Sequence, residues 1–206
     1  MAIEYITQYN APAMMAGRQG HNVTGIVIHH YGSDLTTFSS AISTLTRVTA
    51  STSAHFVVDT NVIAQLVALS DTAYHAGDWN ANLQTIGIEC PPLCLPEQQA
   101  TLIELMARLY KHYGRVLPLS GHRDYCATAC PGRWYPLLPE LQARAVARYQ
   151  ELSAPTPAQA QTPSDWARNA CNWAAKTGLI VNNDWATPVT IERLAVILQR
   201  YDKMRR

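Results

Sequence analysis

The chain holds histidine, cysteine and glutamate in an arrangement suited to metal-assisted hydrolysis. His29 and His30 close the apolar run GIVIHH, and His122 stands eight positions before Cys130 in GHRDYCATACPG, a loop with glycine at both ends and Pro131 inside. Side chains alternate between the faces of a strand, so only one of the two adjacent histidines points into a given cleft. An imidazole and a thiolate on one irregular loop can converge on a metal, and a strand-end histidine adds a third ligand from a rigid element. Three protein ligands leave the fourth position of zinc open, which is the arrangement of a hydrolytic rather than a structural site.

The same region supports a structural alternative. Cys90, Cys94, Cys126 and Cys130 form two C-x3-C pairs, suited to a closed four-cysteine site or to two local disulfides. Closed sites more often use a two-residue gap, Pro91 and Pro92 stiffen the first pair, and this reading leaves His29 and His122 without a role. Glu89 lies in the apolar strand TIGIEC, where a lone carboxylate is costly unless it is paired, functional or exposed at the sheet edge. His55 alternates with Ala54 and Phe56 and reads either as a satisfied core histidine or as a neighbour of the metal. His21 and His112, in polar or helix-surface contexts, read as ordinary.

Short β-branched segments carry these residues: Gly25–His30, 54–59 (AHFVVD), 62–67 (VIAQLV) and Thr85–Cys90. After Pro96, Leu102, Leu105, Met106, Leu109 and Tyr113 recur at helical steps, with Gly114 closing the helix, and a second helix is predicted from about Pro136 to Tyr149. The fold class expected is α/β, a mixed central sheet flanked by helices. With 48% hydrophobic and 15% charged residues and a net charge of +1, the chain is neither disordered nor basic enough to suggest nucleic-acid binding. A chain of 206 residues buries a real core, so its five cysteines are not needed as staples, and an odd number leaves at least one thiol unpaired within the chain.

In order, GIVIHH, SAHFVVD, YHAG, TIGIEC and GHRD followed by ACPG resemble the type 2 N-acetylmuramoyl-L-alanine amidases, relatives of the peptidoglycan recognition proteins and the amidase-type phage lysozymes. The resemblance spans residues 23–135. It implies a peptidoglycan-recognition-protein-like fold and a zinc site made of His29, His122 and Cys130. His30 is the weaker ligand candidate, because similar proteins often carry another residue there; it reads as packed, behind the ligands or at the substrate. The glutamate of the IGIE segment implies that Glu89 faces the metal as general base. His75, in the YHAG motif, is expected to line the cleft, Trp79 to stack on a sugar or stem-peptide face, and His55 to stand beside the metal or in the core. Asp124 is expected to orient an imidazole or anchor Arg123. Where some relatives carry a catalytic tyrosine and lysine this chain has Ala54 and Thr128, which shifts the weight to Glu89. Thr128 then reads as a hydrogen-bond donor to the substrate carbonyl or as a loop cap. The implied reaction is hydrolysis of the amide between the lactyl group of N-acetylmuramic acid and L-alanine in peptidoglycan. A cytoplasmic amidase recycling anhydromuropeptides is the enzyme alternative. A non-catalytic peptidoglycan receptor is the other, and loss of the metal cysteine would mark it, whereas Cys130 is present.

The composition divides the chain into a catalytic domain (1–150), a proline-rich linker (151–164) and a helical module (165–206) with seven basic and four acidic residues. Thr162 and Thr190 are the expected caps of two helices in the module, which is similar to a single S-layer-homology motif. Two short helices bury little surface alone, so the module is expected to bind wall polymer, pack on the catalytic part, or join two copies as a homodimer. The N-terminal stretch has Glu4, no basic leader and no unbroken apolar run, and no segment reaches the roughly 18 apolar residues of a membrane span. The expectation is a phage endolysin made in the cytoplasm without a signal peptide and released to the wall at lysis.

Overall fold

The computed structural model describes residues 2–153, together with 172–174, 176–177, 196–199, 201 and 203. In chain order the elements of the first unit are β1 (Glu4–Ile6), β2 (Met14–Met15), β3 (Gly25–His30), α1 (Phe38–Thr46), β4 (Phe56–Asp59), β5 (Val62–Gln65), β6 (Thr72–Ala73), α2 (Trp79–Gln84), β7 (Thr85–Cys90), α3 (Pro96–Tyr113), β8 (Leu119–Gly121) and α4 (Leu138–Ser153). Six strands form one mixed sheet in the order β1-β5-β4-β7-β3-β8, and β2 pairs with β6 in a separate ribbon. Only β4 and β5 run antiparallel within the large sheet.

The central strands read as unbroken apolar runs because helices cover both faces. On one face Ile26, Ile28, Phe56, Ile86 and Ile88 pack with Leu102, Leu105, Met106 and Leu109 of α3, Leu141 and Ala145 of α4, and the fully buried Trp134. On the other, Ala41, Ile42 and Leu45 of α1 pack with Val57, Ala64, Leu66 and Val67. The parallel register of β3 and β7 sets His29 opposite Glu89, and β4 sets Val57 opposite Glu89. His29 and Glu89 therefore share the α1 side of the sheet near the carboxyl ends of two parallel strands, where open α/β sheets leave a crevice for ligands.

Helix α3 starts and stops where the residues predict. Pro96 occupies its first turn, Gln98 Oε1 accepts from the Leu95 N–H at 2.8 Å, and Gly114 ends it at φ +65° with its own N–H bonded back into the last turn. Helix α4 differs from expectation at both ends. A 3-10 segment, Gly132–Leu137, takes up Pro136, so the α-helix starts at Leu138. At its far end α4 continues to Ser153, three residues into the stretch read as linker. There Arg148 bridges Glu104 at 2.7 Å and Glu151 at 2.8 Å, and Lys111 Nζ donates to the Leu152 carbonyl at 2.8 Å.

Residues 154–206 form a second compact unit. Residues 172–174, 196–199, 201 and 203 are helical, Trp173 is exposed and Ala174 is buried. The predicted helix caps Thr162 and Thr190, and most of the linker, lie outside the described residues. Among the described residues no helix is long and apolar enough to cross a membrane.

Candidate active site

His29 emerges from β3 with 2% of its surface exposed. Its Nδ1 lies 3.8 Å from Cys130 Sγ, and its Nε2 lies 3.0 Å from His75 Nδ1. His122 opens a short 3-10 turn, His122–Asp124, directly after β8, and its ring centroid is 4.5 Å from that of His29. One donor atom from each of His29, His122 and Cys130 falls within 4.8 Å of the others. Three separate elements thus bring together the three residues picked as ligands.

The loop carrying Cys130 is held from several sides. Cys130 Sγ accepts from the His30 N–H at 3.4 Å, Thr128 Oγ1 accepts from the Cys130 N–H at 3.2 Å, and Arg123 donates from its backbone to the Cys130 carbonyl at 3.0 Å. Thr128 therefore caps the loop, while its hydroxyl hydrogen stays available to another acceptor. Asp124 corrects an expectation. It orients no imidazole and does not anchor Arg123; its carboxylate accepts from the Gly121 N–H at 2.7 Å and from the Tyr135 hydroxyl at 2.6 Å, pinning the turn.

The four cysteines of the alternative reading are free thiols, and they do not converge. Cys90 points into the core beneath α3, away from the face that carries His29.

Electrostatically the site is a set of neutral donors. Burial, reinforced by neighbouring imidazoles, holds His29 and His75 well below the usual histidine range, and burial also lowers His122. Burial pushes the Cys130 thiol up to about 12. Neutral imidazoles are what a metal requires, and a thiol of this kind gives up its proton when a cation is bound. The donor set fits a tetrahedral ion that prefers nitrogen and sulfur.

Glu89 stands next to His29 in the sheet register, and burial alone raises its carboxyl to about 7. The residue is partly exposed, yet its Oε2 is shut off from solvent and has no hydrogen-bond partner. His30 Nδ1 is in the same condition. Both residues line a cavity of about 330 Å³ together with Tyr31, Thr36, Ala41 and Leu45. A bidentate pair between Arg133 and Asp34, at 2.6 and 3.0 Å, ties the loop after β3 to the segment that follows Cys130.

His75, expected on the cleft wall, is buried instead, and His55 takes the core place that was one of its two readings. His75 is 6% exposed and uses both ring nitrogens inside the protein, on His29 and on Thr85 Oγ1 at 3.3 Å. It lies behind the ligands rather than on the cleft wall, because Gly87 leaves room for its ring over β7: a Cβ there would sit 2.5 Å from His75 Cγ. His55 is fully buried, accepts from the Gly87 N–H at 3.1 Å and meets Arg18 Nη2 at 2.7 Å. Its ring centroid is 5.9 Å from that of His75, so it belongs to the core layer beneath the site. Trp79 keeps its expected exposure, 45%, and tilts against Tyr74 at 5.7 Å to make an aromatic surface.

Arg18 was not legible beforehand. It is a buried guanidinium whose charge is spread over the carbonyls of Leu69, Leu83 and Thr85, and nothing in its sequence neighbourhood marks it.

The family model for N-acetylmuramoyl-L-alanine amidase matches residues 19–133, more than half of the chain. The chain belongs to this amidase family. It is 30% identical over 127 residues to the N-acetylmuramoyl-L-alanine amidase XlyB of Bacillus subtilis (strain 168), a match that covers 53% of this chain and 39% of that protein. The chain thus spans well under half the length of this curated relative. Its amidase fold is also that of the catalytic domain of XlyA, with a TM-score of 0.60 at 21% identity over 69% of this chain and 99% of that one. The PlyG catalytic domain gives 0.60 at 17% identity, covering 75% of this chain and 100% of that one. The Staphylococcus aureus hydrolase AmiA gives 0.62 at 15%, covering 76% and 89%. The expected α/β class, with a mixed sheet between helices, is the class found.

Proposed function

We propose that this family member is a zinc-dependent N-acetylmuramoyl-L-alanine amidase that acts on bacterial peptidoglycan as a lysis enzyme. The observation that carries the reading is the convergence of His29, His122 and Cys130 beside Glu89, whose buried Oε2 has no partner. Zinc held by these three residues would supply a Lewis acid for the carbonyl of the lactyl-alanine amide.

The chain's own groups carry the rest of the reaction. Glu89, poised near neutrality by burial, takes a proton from the attacking water and delivers it to the departing alanine nitrogen. The Thr128 hydroxyl donates to the developing oxyanion. Trp79 and Tyr74 offer an aromatic face to a sugar ring, and the cavity that joins Glu89 to Tyr31 and Leu45 takes the neighbouring part of the muramyl peptide, where His30 Nδ1 finds a polar partner. Release to the wall at lysis is part of the reading, supported by the likeness to endolysin catalytic domains. The module at 165–206 is assigned to wall-polymer binding rather than to pairing of two copies.

Purified walls incubated with the protein are expected to expose new amino-terminal alanine, a gain suppressed by a chelator and restored by zinc. New reducing sugar ends without new alanine termini would refute the amidase reading. Deletion of residues 165–206 is expected to weaken pelleting with walls.

A further inference from the structure

Hydrogen-bond direction behind the site leads to a statement about the ligands themselves. The Thr85 hydroxyl has one hydrogen, and it points at the Ala81 carbonyl 2.6 Å away, which can only accept. Toward His75 Nε2, at 3.3 Å, Thr85 Oγ1 is therefore an acceptor, and the Thr85 carbonyl faces the same ring. His75 must carry its hydrogen on Nε2, which leaves Nδ1 with a lone pair. That lone pair lies 3.0 Å from His29 Nε2, so His29 is the donor across this contact. The bare nitrogen of His29 is then Nδ1, the atom that faces Cys130 Sγ.

His122 is treated alike by the next residue. The Ala76 carbonyl faces its ring, and the edge carrying Nε2 borders Gly77, where a Cβ would lie 3.8 Å from that nitrogen. Nδ1 is left for the interior of the site. Both outer contacts come from one two-residue stretch, and that stretch is itself pinned. The N–H groups of His75 and Ala76 both donate to Asn82 Oδ1, at 2.9 and 2.8 Å, and Gly87 makes the seat for the His75 ring.

Resting on the metal reading above, we infer that His75 and the Ala76 carbonyl are the elements that fix which nitrogen each imidazole presents to the metal. Thr85 and Asn82 hold them in place, so both ligands are set as Nε2–H tautomers before any ion arrives. His75 is thus a positioning residue, acting through His29. Outer contacts of this kind orient the ligand and raise its basicity, and their loss typically weakens metal binding about 10- to 100-fold.

The test is nitrogen-detected NMR of the full chain labelled with 15N-histidine, metal-free and after addition of zinc. Metal-free protein is expected to show His29, His75 and His122 all protonated at Nε2, and zinc is expected to shift Nδ1 of His29 and His122 while leaving His75 uncoordinated. Coordination through Nε2 of either ligand, or a His75 protonated at Nδ1, overturns the inference and leaves the metal reading intact. Failure of zinc to move any histidine nitrogen overturns the metal reading and this inference with it. As a second arm, His75→Phe keeps a buried ring without the acceptor, and chelator competition is expected to show zinc binding weakened about 10- to 100-fold. His75→Asn, whose amide oxygen restores an acceptor, is expected to recover most of that loss. Unchanged affinity in a folded His75→Phe protein, judged by its metal-free melting curve, contradicts the assignment.

Discussion

On one flank of His29 the buried polar groups are all engaged, and on the other two of them are not. Toward the helix α2 side, His75, Thr85, Asn82 and the carbonyls of residues 76 and 81 form a closed set of donors and acceptors. Toward the α1 side, Glu89 Oε2 and His30 Nδ1 are buried beside a cavity with no partner in the protein. An unsatisfied buried polar atom costs about 1–3 kcal/mol, so a stable fold keeps one only where something else makes use of it. On the proposed function the contrast separates scaffold from reaction chamber: the satisfied flank would hold the ligands still, and the unsatisfied flank would take the substrate.

The largest test of this division is at the ligands that join the two flanks. Cys130→Ser removes the thiolate, and loss of the metal's contribution of several kcal/mol is expected to lower wall hydrolysis on the order of 10³-fold or more. Zinc analysis of the purified protein checks it, and a variant retaining both zinc and activity would remove Cys130 from the site.

Glu89→Gln comes next and acts on the chamber alone. Turnover is expected to fall about 10²- to 10⁴-fold with zinc content unchanged. The same substitution has a stability signature in metal-free protein. The Glu89 carboxyl lies at about 7 in the folded state against an ordinary value of 4.5. The folded protein thus holds this proton more tightly than the unfolded chain, and ionising it costs stability that grows from pH 4.5 and is complete above 7. Melting temperatures of wild type and Glu89→Gln should therefore agree at pH 4 and diverge by pH 8, with the variant higher. A variant no more stable at pH 8 than at pH 4, relative to wild type, would mean that Glu89 is not desolvated.

Gly87→Ala strikes the satisfied flank. The new Cβ falls 2.5 Å from a ring that has nowhere to retreat, and overpacking of this kind costs about 1–3 kcal/mol. Urea unfolding measures it, and weaker zinc binding should accompany it. A shift under half a kcal/mol would show that the His75 seat is loose. The smallest effect is expected from Trp79→Ala, which loses a stacking surface at the rim: KM for soluble muramyl peptides should rise several-fold with kcat nearly constant, since loss of an exposed aromatic contact amounts to about 1 kcal/mol. A fall in kcat at constant KM would move Trp79 from the rim into the reaction.

Much of this site was readable before the fold was known. β3, β7 and α3 are strong local signals: two six-residue apolar strands, and an 18-residue helix with proline at its start and glycine at its end. The strands β1, β2, β6 and β8, of two or three residues each, exist only through partners far away in the chain and leave no periodic trace. Helix α1 is rich in serine and threonine, and its cap at Thr37 is a local signal too weak to stand alone. Arg18 and Asn82 were invisible because, His55 beside Arg18 apart, their partners are backbone groups, which carry no side-chain signature.

The residues by themselves determined the chemistry on offer. Two imidazoles, a thiolate and a carboxylate, in that type and order, define the metal preference and the reaction class, since these are properties of side chains. Tertiary structure decided the rest. It set Glu89 beside His29, sent Cys90 to the core and Cys130 to the side of His29 and His122, and moved His75 from the cleft wall to a place behind its neighbour. Those outcomes depend on strand register and on contacts between residues 46 to 101 positions apart. Such contacts form only when the whole sheet does, and no local run of residues encodes them.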